Sequence, residues 1–150
     1  MGNDVNLTSS VFIKTPLEID ATGEIATVSG GSHDFAGSHG SLTIIGLVEI
    51  SGTNDYSGGT TVGNVGTLQG ASANAFSANS IYTLDSSGSL ALGGFDQTIG
   101  GLQGTGGVDN DSMSGMPQDA TLTIDSTSTA TPSRSCWVLI TGSRLTSSSD

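Results

Sequence analysis

The sequence predicts an all-β chain wound as a right-handed parallel β-helix, a solenoid whose ends are poorly ordered. Three observations carry that expectation. Short runs alternate apolar and polar residues, the two-residue period of a strand. Gly, Asn, Asp or Ser closes each run, and Gly and Asn suit a chain that turns repeatedly with positive φ. The apolar residues are mostly small or medium, with a single Trp at Trp137. Sandwiches and barrels draw on larger core residues, whereas a narrow coil holds only a few side chains in each cross-section.

Taken in order, residues 1–23 read as an irregular N-terminal segment, and β-helix coils are expected over 24–130. Val48-Glu49-Ile50-Ser51 alternates so that Val48 and Ile50 point inward while Glu49 and Ser51 face water. Gly58-Gly59 permits a sharp turn into an extended Thr60 to Val62, whose β-branched residues favour a strand. Ala71 to Ala78 (ASANAFSA) is the best helix candidate, but it is short and uncapped and reads as a loop. Further strands follow at Tyr82-Thr83-Leu84-Asp85, Leu90-Ala91-Leu92 and Leu122-Thr123-Ile124-Asp125. Turns are marked by Ser57-Gly58-Gly59, Gly93-Gly94, Gly100-Gly101 and Gly106-Gly107. Tyr56 and Phe95 stand near glycines and are expected to cap corners. Asn54 and Asp96 suit corners through bonds to nearby backbone N–H groups. Coils of roughly 22–25 residues would stack five or six deep at ~4.8 Å per rung.

Composition excludes several classes. The chain has 150 residues, of which 23 are Gly, 24 Ser and 19 Thr, with one Lys and three Glu. That is no basis for a long helix or coiled coil. Collagen is excluded because the glycines lack a three-residue period and Pro occurs three times. A formal net charge of −11 offers nothing to neutralise phosphates, so no nucleic-acid partner is expected. Wholesale disorder conflicts with a mean hydropathy of +0.03 and with the regular placement of LVEI, IYTL, SLAL and TLTI. The lone Cys136 excludes an intramolecular disulfide framework. No apolar run approaches the ~18–20 residues of a membrane-crossing helix. The N-terminus lacks the basic and apolar regions of a signal peptide.

The most informative stretch is 46–108. It contains Ile50-Ser51-Gly52, then Asn54-Asp55-Tyr56-Ser57-Gly58-Gly59-Thr60-Thr61, then Gly66-Thr67-Leu68. A second ordered block, LALGGFDQTIGGLQGTG, runs from Leu90 to Gly106. Together these residues resemble the autotransporter-associated β-strand repeat of type V secreted passenger domains in Gram-negative bacteria. The resemblance implies a β-helix, vectorial folding during export and a cell-surface or extracellular location. In full-length relatives it also implies an outer-membrane β-barrel translocator. Residues 131–150 depart from the pattern: they hold the Trp, the Cys and two of the three basic residues, Arg134 and Arg144. That tail is expected to be disordered or frame-shifted, the product of a fragment or truncated gene.

Several constellations invite a chemical reading. Asp20 in IDATGE, His39 in SHGSL and Ser112 in DSMSGMP follow the order of a subtilisin-like triad. The boxes are degenerate, however, and β-repeat fills the space where an α/β scaffold would hold such a triad. His33, Asp34 and His39 could offer metal ligands, but their spacing fits neither a helical zinc pair nor one face of a strand. Asp109, Asn110 and Asp111 could bind calcium, though the Gly-Gly-x-Gly-x-Asp rhythm of calcium-binding β-rolls is missing. No Lys-Ser or Lys-Thr follows the glycines, so they are not phosphate cradles. The expectation is therefore a non-catalytic module, with no catalytic, cofactor or metal residue assigned and no small-molecule substrate. It would serve as a cell-surface stalk or adhesin scaffold, with a host or matrix surface ligand as a possible partner at loops 71–79 or 112–119. The alternatives are a non-functional fragment of a larger autotransporter gene, or a calcium- or glycan-binding surface module.

Overall fold

A computed structural model describes residues 4–63, 65–110, 119–125 and 144–147. Among them there is no helix, and the chain forms a β-solenoid of about five turns. Its strands are β1 (Val5–Leu7), β2 (Val11–Ile13), β3 (Leu17–Val28), β4 (Ser32–Asp34), β5 (Leu42–Ile50), β6 (Thr60–Val62) and β7 (Thr67–Gly70). They continue with β8 (Ile81–Leu84), β9 (Ser89–Ala91), β10 (Gln97–Ile99), β11 (Gly101–Gly104), β12 (Gly107–Asp109), β13 (Thr121–Ile124) and β14 (Arg144–Ser147).

Among the described residues every strand pairing is parallel, and the strands fall into three axial ladders. The first stacks the front half of β3 on the front half of β5, then β6, β8 and β11. The second stacks β1, the back halves of β3 and β5, then β7, β9 and β12. A third side holds β2 with β4, and β10 with β13 and β14. Partners lie as few as 18 residues apart, as with Leu42 and Thr60, and as many as 25, as with Leu17 and Leu42. The coil is thus less uniform than the spacing of turn signals suggests.

Parallel register turns alternation into columns. Ala26, Val48, Leu68, Leu90 and Val108 occupy successive rungs of one column, and all are buried. Ile44, Val62 and Leu84 form another. Val48 and Ile50 are inward as the alternation requires, and Ala71 to Ala78 is a loop, with Ala75, Phe76 and Ser77 buried. Residues 1–23, expected to be irregular, instead carry β1, β2 and the start of β3. Their apolar positions are intelligible only once stacked: Leu17 and Ile19 lie on Leu42 and Ile44. Within the 131–150 tail, residues 144–147 form β14 and the remainder lies outside the described residues.

Corners follow from backbone crowding. The long β5 crosses one corner unbroken at Gly46, whose φ is +76° and where a Cβ would fall 2.4 Å from the Ala21 carbonyl carbon. Two coils on, the same corner holds Gly88 and then Gly106, where a Cβ would sit 2.2 Å from the Gly88 oxygen. Only glycine lets one rung lie directly upon another there.

The corner caps proposed from sequence are placed differently. Phe95 is 40% exposed, whereas Tyr56 is wholly buried beside Tyr82. Thr60 is the small member of the column Leu42, Thr60, Tyr82, and its size leaves room for the second ring. Proton counting orders the hydroxyls that result. Ser80 Oγ donates to the Gly58 carbonyl at 2.7 Å, so toward Thr60 Oγ1, 2.8 Å away, it accepts. With its proton committed to Ser80, Thr60 accepts from the Tyr56 hydroxyl at 2.6 Å. The Tyr82 hydroxyl accepts the Ser77 N–H at 2.9 Å and faces Tyr56 at 3.4 Å as the remaining donor. Asn54 bonds to backbone carbonyls, not N–H groups: its amide donates to Ser51 O within its own corner and to Ala75 O in the next coil. Asp96 accepts from Thr121 N, one coil on. Gln97 receives the Phe76 N–H and donates to Ser72 O, tying the 71–78 loop to the following coil.

Two outcomes follow from the buried hydroxyl chain. Thr60→Val keeps the shape but strips the acceptor of Tyr56 and the donor of Ser80, and is expected to lower unfolding free energy by about 1–3 kcal/mol in a urea titration. Burial pushes both tyrosines above the usual phenol value of 10.0, Tyr82 well above it. The unfolded chain loses phenolic protons near 10, while the folded one keeps them. Stability is therefore whole below that pH and falls as pH rises past it. As Tyr56 and Tyr82 are the only tyrosines, phenolate absorbance and loss of the far-ultraviolet strand signal should rise together; a phenolate signal in the folded protein would contradict this.

Candidate functional site

Outward side chains of the third side form the most chemically varied surface of the described residues. β2 and β4 pair with Phe12 opposite His33 and Ile13 opposite Asp34. Ile13 and Ser32 are buried, which turns Phe12 and His33 to the outside. After β4 the chain turns tightly: Ser38 N–H bonds to Phe35 O, Ala36 and Gly37 take positive φ, and Ser38 Oγ donates to Ile13 O. This turn exposes Phe35 and returns His39 toward Ser57 of the next coil.

Two histidines thus bridge coils, by different partners. His33 Nδ1 lies 2.6 Å from Asp55 Oδ1, and because a carboxylate only accepts, Nδ1 carries the proton. His39 Nδ1 lies 2.5 Å from Ser57 Oγ and 3.8 Å from Asp34 Oδ2. Ser57 donates its hydroxyl proton to Asp34 Oδ2 at 2.5 Å, and its backbone N–H reaches the same oxygen at 3.1 Å. Ser57 Oγ must then accept from His39, so the imidazole nitrogen facing it is protonated. A serine, a histidine and an aspartate meet here, but the serine stands in the middle and the histidine donates. That is the reverse of a triad, in which the imidazole takes the serine proton. Chemically the arrangement is a clasp between coils.

The sequence-derived candidates separate. Asp20 is exposed at the bend of β3, where the Thr22 hydroxyl and N–H bond to Oδ1 and hold its carboxyl below the usual value. His39 is engaged with Ser57 instead, and Ser112 lies outside the described residues. His33 and His39 turn to different partners, and among the described residues no group of three or more His, Cys, Asp or Glu is placed to share a metal ion. Asp109 Oδ2 accepts from Ser89 Oγ, and Asn110 Oδ1 accepts from Gly94 N–H, so both turn an oxygen to the protein; Asp111 lies outside the described residues. A shallow groove lined by Ser57, Gly59, Ala78, Asn79, Ile81, Gly100 and Asp125 runs along the axis beside the clasp.

Sequence reasoning missed Phe12, Lys14, Phe35, Asp55 and Ser57 as members of one surface. Asp55 is 22 residues from His33 and Ser57 is 18 from His39. Contact at those separations depends on individual coil lengths, for which no local signal exists. Comparison with protein-family models, with curated proteins and with solved structures finds no match.

Because the imidazole facing Ser57 is a donor, Ser57 is expected to be inert toward a fluorophosphonate probe. Mass spectrometry of the treated, folded protein should find no adduct on it. An adduct at Ser57 that disappears in His39→Ala would overturn the donor assignment.

Proposed function

We propose that this chain is a non-catalytic structural module, a segment of a cell-surface stalk or adhesin scaffold of the autotransporter-passenger kind. The observation that carries the reading is the unbroken parallel stacking of the stretch with the repeat-like residues. In that stretch Ile50 closes β5, Gly58 and Gly59 lead into β6, and Gly66-Thr67-Leu68 enters β7. Leu90 and Ala91 lie in β9, while Gln97-Thr98-Ile99 is β10. These motif residues therefore lie in the stacked strands or in the turns that lead into them.

A solenoid suits a spacer because each coil contacts chiefly its neighbours, so length is added without changing the cross-section. The same locality allows coils to form one after another as a chain emerges through a membrane. A net charge of −11 opposes close association of neighbouring rods. In this reading the module lies outside the cell, and its partner in the complete protein is an outer-membrane β-barrel translocator.

Antibodies raised against the folded chain test the location. Intact cells that make the protein should bind them, and external protease should remove the epitope without lysis. Signal that appears only after the cells are broken would overturn the surface assignment.

A further inference from the structure

Outward columns of this solenoid are mostly polar, as in Thr43, Thr61 and Thr83 on the first ladder. One corner departs from that pattern. Ile45 and Leu47 flank Gly46 in β5, and Ile25 pairs with Leu47 from the coil before. Their chain neighbours Ile44, Val48 and Ala26 are buried, so the pleat turns these three side chains outward. Leu17 and Ile19 pack on the core from partly exposed positions, but Ile25, Ile45 and Leu47 take no part in it. At the same corner one coil on stands Val65, 67% exposed. Its φ of +56° is a conformation that a β-branched residue rarely adopts. Glycine would make that turn without strain. An exposed aliphatic side chain is thus kept where neither packing nor backbone asks for one.

Carboxylates surround this aliphatic corner. Asp20 pairs with Ile45, and Glu49 lies two residues beyond Leu47. Glu24 is exposed in the bulge opposite Gly46. Among the described residues no Lys or Arg forms a salt bridge with any of the three. Lys14 precedes the far end of β3, and Arg144 opens β14 on the third side. We propose that Ile25, Ile45, Leu47 and Val65 form a docking surface for a basic amphipathic peptide segment, aliphatic at its centre and flanked by Lys or Arg. Aliphatic contact supplies an attraction that salt does not screen, and the carboxylates select the sign of the partner's charge. Complementarity holds at two ranges. The rim is acidic at the contact itself, and the net charge of −11 steers a cationic segment from a distance.

Other occupants fit less well. A second copy docking through this corner would set one acidic rim against another, each on a chain of net charge −11. A stable interface between folded proteins buries ~1,200–2,000 Å² in total, more than four aliphatic side chains provide, so the partner is a short segment bound transiently. This inference goes beyond the scaffold reading and does not depend on where the chain is displayed, so either can fail alone.

Isothermal titration calorimetry of the full chain tests it, with a short synthetic peptide that has Leu and Val at its centre and Lys at both ends. That peptide should bind, and the same peptide ended by Glu should not. Leu47→Ala should weaken binding about fivefold, the loss of part of one aliphatic contact. Val65→Gly should weaken it by a similar factor without lowering the urea midpoint, because Gly accepts the positive φ. A valine kept only for structure would show the opposite, a lower midpoint and unchanged binding. Glu24→Gln and Glu49→Gln combined should cost about threefold at low ionic strength and flatten the salt dependence. Phe95→Ala, at another corner, should change nothing. None of these positions is buried, and an unchanged strand signal confirms that each variant is folded. The proposal is overturned by no binding at millimolar peptide, by equal binding of the Lys-ended and Glu-ended peptides, or by affinity unmoved in Leu47→Ala and Val65→Gly. It is also overturned if sedimentation shows that those two variants dissociate an oligomer of the chain, since the corner would then be a self-contact.

Discussion

Each coil of this protein hydrogen-bonds along the solenoid axis to the coil before and the coil after it, in parallel register. Residues that are distant in sequence must then occupy one column, about one rung spacing apart. An inward position is never chosen alone. Its size must suit the side chains above and below, as when the small Thr60 sits between Leu42 and Tyr82 and admits Tyr56. The same requirement explains a core assembled from Val, Leu, Ile and Ala with few large rings: a narrow cross-section is filled by repetition along the axis.

Axial stacking also governs where polarity is tolerated. A buried hydroxyl in a solenoid can find partners in the neighbouring rung as readily as in its own. Tyr56, Thr60, Ser80 and Tyr82 exploit this across adjacent coils, while Asn54 and Gln97 do so with loop carbonyls and amides. Unlike dispersion contacts, these bonds are directional. A slip of one residue would leave several buried donors unpaired, so they discriminate between registers more sharply than apolar columns of similar residues can. Glycine at the corners acts in the same sense through excluded volume, since carbonyl oxygens of one coil occupy the space that a Cβ of the next would need.

On the outer surface the same geometry juxtaposes groups without burying them. His33 with Asp55, and His39 with Ser57 and Asp34, clasp successive coils beside a pair of exposed phenylalanines. Proton directions decide the chemistry of these groups. Both imidazoles present a donating Nδ1, which suits them to hold carboxylate and hydroxyl oxygens in place.

By itself the sequence determined the all-β class and the coil-like repetition. Alternation at Val48 to Ile50, Tyr82 to Leu84 and Leu122 to Ile124, closed by glycine-rich turns, is a local property that strand geometry imposes directly. It also determined that Ala71 to Ala78 would be a loop, because nothing there caps or prolongs a helix. Only the tertiary structure decided that residues 5–23 belong to the stack, since Leu17 and Ile19 acquire an inward direction from Leu42 and Ile44 beneath them. It alone placed Tyr56 inside and Phe12 and Phe35 outside, against their hydropathies, because a neighbouring rung supplied hydroxyl partners for the first, the pleat of β2 turned Phe12 outward and the turn after β4 exposed Phe35. The His39, Ser57 and Asp34 clasp was likewise hidden: coil length varies from 18 to 25 residues, and the partner of any outward side chain is set by the path of the whole turn between them.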